Sequence, residues 1–262
     1  MYLPSERRLF APIRLTARCD SVNDVVVPLL LDLFCGAGGC SVGYNRAGFT
    51  VVGVDIESQP EYPFKVTKAD ALIAMHRLLN EDGLATHFGK LRLADFSAIH
   101  ASPPCQRYSH ALKMSESSRA NHPDLIGDVR ELLIESGLPY VIENVEGARS
   151  EMRNPYLLCG SMFGRKIRRH RLFETNFPLM VPSCHHSVEA TYEKQFISTT
   201  NRQGTKTLRG IVNPVATGKR SNVDDLRSEM GVDWMVKSRG ITEAIPPDYT
   251  ELIGHQLFTV IR

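Results

Sequence analysis

The chain has 262 residues, 42% hydrophobic and 23% charged, with a formal net charge of +2, which suits one large α/β domain plus a small appendage and excludes disordered or collagen-like classes. No apolar run approaches the ~20 residues that span a bilayer, and the basic N-terminus (Arg7, Arg8, Arg14, Arg18) has no apolar stretch behind it, so a cytosolic protein without a secretory leader is expected. Six cysteines in no paired spacing suit a reducing compartment.

Residues 1–28 have weak periodicity and read as an N-terminal extension. Leu29 to Phe34 is a short apolar run with a single acid, as expected for a strand buried on both faces. Gly36-Ala37-Gly38-Gly39 forms a tight turn opening a helix over Cys40 to Ala47, which Gly48 stops. Val51 to Asp55 is the next strand, and Ala71 to Asn80 the next helix. Strand, glycine turn, helix, strand is the first unit of a doubly wound, Rossmann-like sheet. A further strand, Ala98 to Ala101, ends at Pro103-Pro104, whose fixed φ and missing N–H stop the ladder and present Cys105 to a cleft. The seventeen residues from Gln106 to His122 form a polar loop long enough to be functional. Pro123 to Ser136 is an amphipathic helix with Leu125, Val129, Leu132 and Leu133 on one face and Gly137 as its stop. Tyr140-Val141-Ile142 is a strand ending in Glu143-Asn144. After Phe173 the alternation breaks up, and residues 174–235 read as a small irregular lobe. Ile241 to Gln256 regains apolar spacing behind Pro246-Pro247 and is expected to rejoin the main domain as a helix. The domain division is therefore 1–28, then 29–173 plus 236–262, with 174–235 as the lobe.

The carboxyl ends of parallel strands line the ligand crevice of such a sheet. Cys105 and Glu143 stand at two of these ends, a nucleophile beside an acid. A lone cysteine is usually inert and an isolated Glu usually a turn cap; their pairing across a cleft favours chemistry. A reactive thiol needs positive charge nearby, and Arg169 and Arg171 are candidates to lower its pKa. The glycine turn lets a ligand approach the backbone, Asp55 can take both hydroxyls of a ribose, and Asp70 can read an adenine amino group. Residues 194–223 carry Lys194, Arg202, Lys206, Arg209, Lys219 and Arg220 without one acid, a stripe suited to phosphate backbones. Cys184-His185-His186 with Cys159 upstream invites a zinc reading. Adjacent residues rarely chelate one ion and no C-x-x-C pair exists, so no metal is expected. Trp234 and Met235 are expected to pack the lobe.

In their order, Asp32-Leu-Phe-Cys-Gly-Ala-Gly-Gly39, Pro103-Pro-Cys-Gln106 with Tyr108-Ser109, Glu143-Asn-Val145, Arg169-His-Arg-Leu-Phe173 and, more weakly, Ala244-Ile-Pro-Pro247 resemble the DNA (cytosine-5) methyltransferases of the compact prokaryotic or phage type. The resemblance spans residues 29 to about 254. It implies an S-adenosylmethionine-dependent Rossmann-like sheet with a small target-recognition lobe. It implies Cys105 as nucleophile on C6 of a flipped cytosine, Glu143 on the N3 and N4 edge, Arg171 on O2 and Arg169 near the nucleophile. Phe34, Gly36, Gly38, Gly39, Asp55, Ile56, Asp70 and Pro104 would bind the donor. Gln106, Ser109, Asn144, Arg202, Lys206 and Arg209 would serve the DNA, with Asn144 bracing the loop that carries Cys105. The implied partner is double-stranded DNA and the implied state a monomer, in the cytoplasm of a prokaryotic or phage-infected cell; a companion restriction endonuclease is left open. Three positions depart from the pattern: Ile167 replaces a Gln, Ile56 an aromatic and Glu243 an Asn. Methylation of transfer RNA by the same chemistry, and DNA binding without turnover, are the alternative readings.

Overall fold

The computed structural model describes residues 27–108, 123–165, 167–184, 194–200, 206–212 and 223–261. Strand β1 (Leu29–Leu33) is buried along its whole length, as its apolar run requires. It leads through the glycine turn into helix α1 (Gly39–Ala47), then β2 (Thr50–Asp55), β3 (Val66–Lys68) and α2 (Ala71–Leu79). A short hairpin, β4 (Leu84–Thr86) and β5 (Gly89–Leu91), precedes β6 (Phe96–Ala101). Helix α3 (Ile126–Glu135) starts three residues later than its apolar pattern suggests, because Pro123 and Asp124 lead into it and the Asp124 carboxylate accepts from Ile126 N–H. Then come β7 (Tyr140–Asn144), β8 (Tyr156–Leu158) and β9 (Arg171–Thr175).

Seven strands form one sheet in the order β3-β2-β1-β6-β7-β9-β8. From β3 to β7 neighbours run parallel, whereas β9 is antiparallel to both β7 and β8. The chain leaves β1 in one direction toward β2 and β3 and returns to its other side with β6. The switch point therefore falls between β1 and β6, where ligands of such sheets bind.

Alternation along β1 divides the core. Leu29, Leu31 and Leu33 face α2 and α3, while Leu30 faces α1 and the C-terminal helix. Arg130 of α3 and Glu174 of β9, both buried, make a bidentate pair (2.6 and 2.8 Å) that ties the first layer to the antiparallel edge.

Beyond β9 the structure is more regular than the sequence suggests. Lys194–Thr200 (β10) and Lys206–Val212 (β11) pair as an antiparallel hairpin, and Val223–Met230 forms helix α4. Phe177 and Leu179, inside the stretch read as the lobe, pack in the main core. The C-terminal apolar stretch is two helices, α5 (Ser238–Glu243) and α6 (Pro247–Leu257). Pro246 and Pro247 explain the break: a residue before proline leaves the helical region, and proline restarts a helix at its first turn. Among the described residues no helix is long and apolar enough to cross a membrane.

Candidate active site

At the tip of β1 the backbone turns away through unusual conformations. Phe34 holds φ at 59°, Gly36 at 50° and Gly38 at 88°. For a bulky residue such as Phe34 this is strained, and strain of that kind gathers at functional sites. A Cβ at Gly38 would meet Pro63 at 2.7 Å, whereas one at Gly36 would meet nothing within 4 Å. The space above Gly36 is open. Asp55 at the tip of β2 accepts the Gly36 N–H (2.9 Å) and the Glu57 N–H (2.8 Å), one on each oxygen, so this acid also pins the glycine turn. Asp70 caps α2 through Oδ1 alone, accepting from Leu72 and Ile73 N–H. Ile56, beside Asp55, is 59% exposed, an apolar platform at the same edge. Trp234 donates Nε1–H to the Ala37 carbonyl (3.0 Å), so it clasps the glycine turn as well as packing beside Met235, Leu226 and Ile241.

Next to this cradle, β6 and β7 run parallel with Ala101 opposite Ile142, so Glu143, still paired with β9, stands beside the chain as it leaves β6 for the Pro103–Cys105 turn. Asn144, fully buried, donates Nδ2–H to the Pro103 carbonyl (3.0 Å) and accepts the Val145 N–H, which fixes the turn carrying Cys105. Arg171, the first residue of β9, lies with Nε 3.2 Å from the buried Glu143 carboxylate. Arg169, two residues earlier, is buried and donates to the Thr242 carbonyl at 2.7 Å, while its own carbonyl accepts from the Tyr249 hydroxyl.

Burial pushes the Glu143 carboxyl above the ordinary range, against the pull of Arg171, the Ser102 hydroxyl and Arg169. Burial also pushes the Cys105 thiol up, and the Glu143 charge adds to it; Arg171 and Arg169 pull it down without prevailing. The two guanidinia thus act on the thiol in the expected direction, but its net pKa is raised because desolvation outweighs them. Arg169 is itself pulled down by burial and by Arg171.

Two buried polar groups escaped the sequence reading. His100, inside the apolar strand β6, joins the Tyr44 hydroxyl through Nδ1 (2.9 Å) and the Ser102 hydroxyl through Nε2 (2.9 Å). Ser102 in turn hydrogen-bonds Glu143. Burial lowers the His100 pKa to about 3, so the ring is neutral. Asp32 is buried with the Ser41 hydroxyl on Oδ2, and Ser41 also meets the Tyr62 hydroxyl at 2.9 Å. Burial raises its pKa to about 7, against the Ser41 bond and with help from Asp55 and Glu143. The signal in both cases was a polar residue inside an apolar strand, which must find a buried partner.

Cys105, Glu143, Asn144, Arg169 and Arg171 therefore converge, with Phe34, Gly36, Gly38, Gly39, Asp55, Ile56 and Asp70 at the adjoining tips of β1, β2 and α2. Pro104 is half-buried beside Cys105, and Gln106 is exposed just after it. Ser109 and Arg202 lie outside the described residues, as do residues 1–26 and the rest of the loop after Tyr108. Lys206 and Arg209 stand on β11, in a separate two-stranded sheet. Ile167 has a packing role: it is buried with Leu226, Met230 and Ile241 in a third apolar cluster. Glu243 is exposed and pairs only with Arg239 one turn earlier (3.0 Å) among the contacts described.

Residues 29–158 match the model of the C-5 cytosine-specific DNA methylase family. Over 91 residues the chain is 32% identical to the type II methyltransferase M1.HphI of Haemophilus parahaemolyticus; the match takes in 33% of this chain and 23% of that protein. This chain thus spans about a quarter of that relative's length. In fold, 89% of the chain matches 98% of the Entamoeba histolytica methyltransferase EhMeth with a TM-score of 0.52 and 13% identity. It likewise matches 99% of the Dnmt2 methyltransferase of S. pombe, covering 89% of this chain, with a TM-score of 0.51 and 14% identity.

Proposed function

We propose, from the premise that this chain belongs to the C-5 cytosine-specific DNA methylase family, that it methylates C5 of a cytosine flipped out of double-stranded DNA. The observation that carries this is the convergence of Cys105 and Glu143 at neighbouring strand tips, with Arg171 on Glu143 and both guanidinia acting on the thiol.

The residues at the β1 and β2 tips fit S-adenosylmethionine. Open space over Gly36, a half-buried carboxylate at Asp55, a second at Asp70 and the exposed Ile56 suit ribose hydroxyls, an adenine amino group and an adenine face. When bound there, the donor supplies an electrophilic methyl group beside the Cys105 turn. The protein's part is nucleophilic and acid catalysis. Cys105 Sγ, as thiolate, bonds to C6, and the C5–C6 π electrons move onto the ring, toward N3 and O2. Glu143 meets that charge with a proton at N3, and burial, which raises its pKa above the ordinary carboxyl range, favours that protonated form. Arg171 orients the Glu143 carboxyl and would hold O2. Asn144, through its bond to the Pro103 carbonyl, holds the turn that presents the sulfur. Once C5 carries the methyl group, loss of its proton to a solvent base restores the double bond and expels the Cys105 thiolate, and N3 returns its proton to Glu143.

The partner is DNA, and the basic residues 194–223 are the part suited to its phosphates. A cytoplasmic monomer, with the division into a catalytic domain and a small recognition lobe given above, belongs to the same proposal. Tritiated methyl transfer to duplex DNA, with Cys105→Ala as control, tests it. Label should enter DNA only with the unaltered chain, and equal incorporation by both proteins would remove Cys105 from the mechanism. Adding transfer RNA as competitor tests the substrate: preferential labelling of RNA would reassign it.

A further inference from the structure

Away from the proposed reaction centre, three soft donors that are distant in sequence meet at one point. Cys159 leads out of β8, His170 sits immediately before β9, and Cys184 follows β9 by nine residues. Their ligand atoms all lie within 4.8 Å of one another. Cys184 Sγ is 3.5 Å from His170 Nε2, and the Ser161 hydroxyl sits between the sulfurs, 3.4 Å from Cys159 Sγ and 3.6 Å from Cys184 Sγ. Cys159 is buried and the His170 side chain nearly so.

We propose that Cys159, His170 and Cys184 bind a zinc ion, with water in the fourth position. A tetrahedral site with Zn–S of about 2.3 Å and Zn–N of about 2.0–2.1 Å requires sulfur and nitrogen donors about 3.5 Å apart and sulfurs about 3.8 Å apart. The Cys184–His170 separation already matches, and the remaining donors need only small side-chain rotations. Two thiolates and an imidazole are a donor set that selects zinc over magnesium or calcium. A carboxylate for the outer shell is close by: His170 Nδ1 lies 3.0 Å from a Glu146 carboxylate oxygen, near enough for a small ring rotation to make the bond. A carboxylate behind a ligating histidine fixes which nitrogen faces the metal. Sequence spacing hid the site, because it suggested His185 or His186 as partner, whereas the histidine that completes it lies between the two arginines.

Binding would release the two thiol protons and leave a neutral Zn(thiolate)2–imidazole unit. The ion would staple the β8–β9 connection to the segment that runs on toward the hairpin β10–β11. It would also hold the main chain between Arg169 and Arg171.

The test uses the full chain, expressed with zinc in the medium and purified without chelators. Elemental analysis should find about one zinc per chain, falling at least tenfold in Cys184→Ser and in His170→Asn. Cobalt added to metal-free protein should give the ligand-field bands and thiolate charge transfer of a tetrahedral sulfur site. The cobalt experiment needs no variant, so a misfolded substitution cannot decide the matter. Absence of stoichiometric zinc together with absence of those bands would overturn the proposal. So would a Cys159–Cys184 disulfide, two mass units lighter, in protein purified under reducing conditions.

Discussion

The electrostatic arrangement around Cys105 can be tested without DNA or donor, by removing its two neighbours of opposite charge one at a time. Arg171 lies 3.2 Å from Glu143. At an effective dielectric constant of about 20, unit charges at that distance interact by about 5 kcal/mol. Most of this offsets the desolvation of the pair, so what either charge does to the thiol beside it is read from the sign of its effect. The signs differ between the two variants. Burial is the main upward push on the Cys105 thiol, Glu143 adds to it, and Arg171 is the largest pull downward. Arg171→Met should therefore raise the midpoint of Cys105 alkylation by iodoacetamide, and Glu143→Gln should lower it. Peptide-resolved mass spectrometry reads this rate at Cys105 separately from the other cysteines. Arg171→Lys, which keeps the charge, should recover most of the shift. Midpoints that move in the same direction in both variants, or that stay put, would mean that these charges do not face the thiol.

Two further outcomes follow from the buried polar groups. Glu174→Ala leaves the Arg130 guanidinium and the Arg153 N–H without their carboxylate, and should cost about 3–5 kcal/mol. With an unfolding entropy near 2 cal/mol/K per residue, that is a fall of about 5–9 °C in Tm by circular dichroism, and a drop under about 2 °C would show the pair to be loosely solvated. Asp32 has a folded pKa of about 7 against an ordinary 3.8, so between those values the folded chain holds a proton that the unfolded chain has released. Its contribution to stability is full below about pH 4 and lost as pH rises through 7, at most about 4 kcal/mol. Urea titrations at pH 5 and pH 8 should thus show a decline that is smaller in Asp32→Asn; an unchanged decline would place the proton elsewhere.

The parallel core was legible because its strands are short apolar runs and its helices carry one apolar face. Leu29 to Leu33 and Val129 to Leu133 lie where their patterns put them. The turn at Pro103-Pro104 was legible for a different reason, since proline constrains backbone geometry whatever surrounds it. What the sequence concealed depends on tertiary encounter. Nothing local to His100 announces Tyr44, which reaches it from a helix; only Ser102, two residues on, is a neighbour in sequence. Ile167 looked like a lost polar contact, and its reason became visible only when α4 and α5 packed against it. The hairpin β10–β11 was missed because its strands are mostly polar, with Lys, Thr, Gln and Ser in place of an apolar alternation.

The raised pKa values of Cys105 and Glu143 bear on how the proposed reaction would run. A lowered thiol pKa increases the thiolate population but weakens each thiolate as a nucleophile, because nucleophilicity falls with basicity. The free protein takes the other course: burial holds the sulfur protonated, and the Glu143 carboxylate reinforces it. For Glu143 the same burial favours the protonated form that a hydrogen bond to N3 requires. The two demands are linked, since protonating Glu143 removes the negative charge that raises the thiol pKa. A pyrimidine whose N3 accepts that hydrogen bond would therefore help ionise Cys105 as it binds, making the nucleophile chiefly when the ring it attacks is in place.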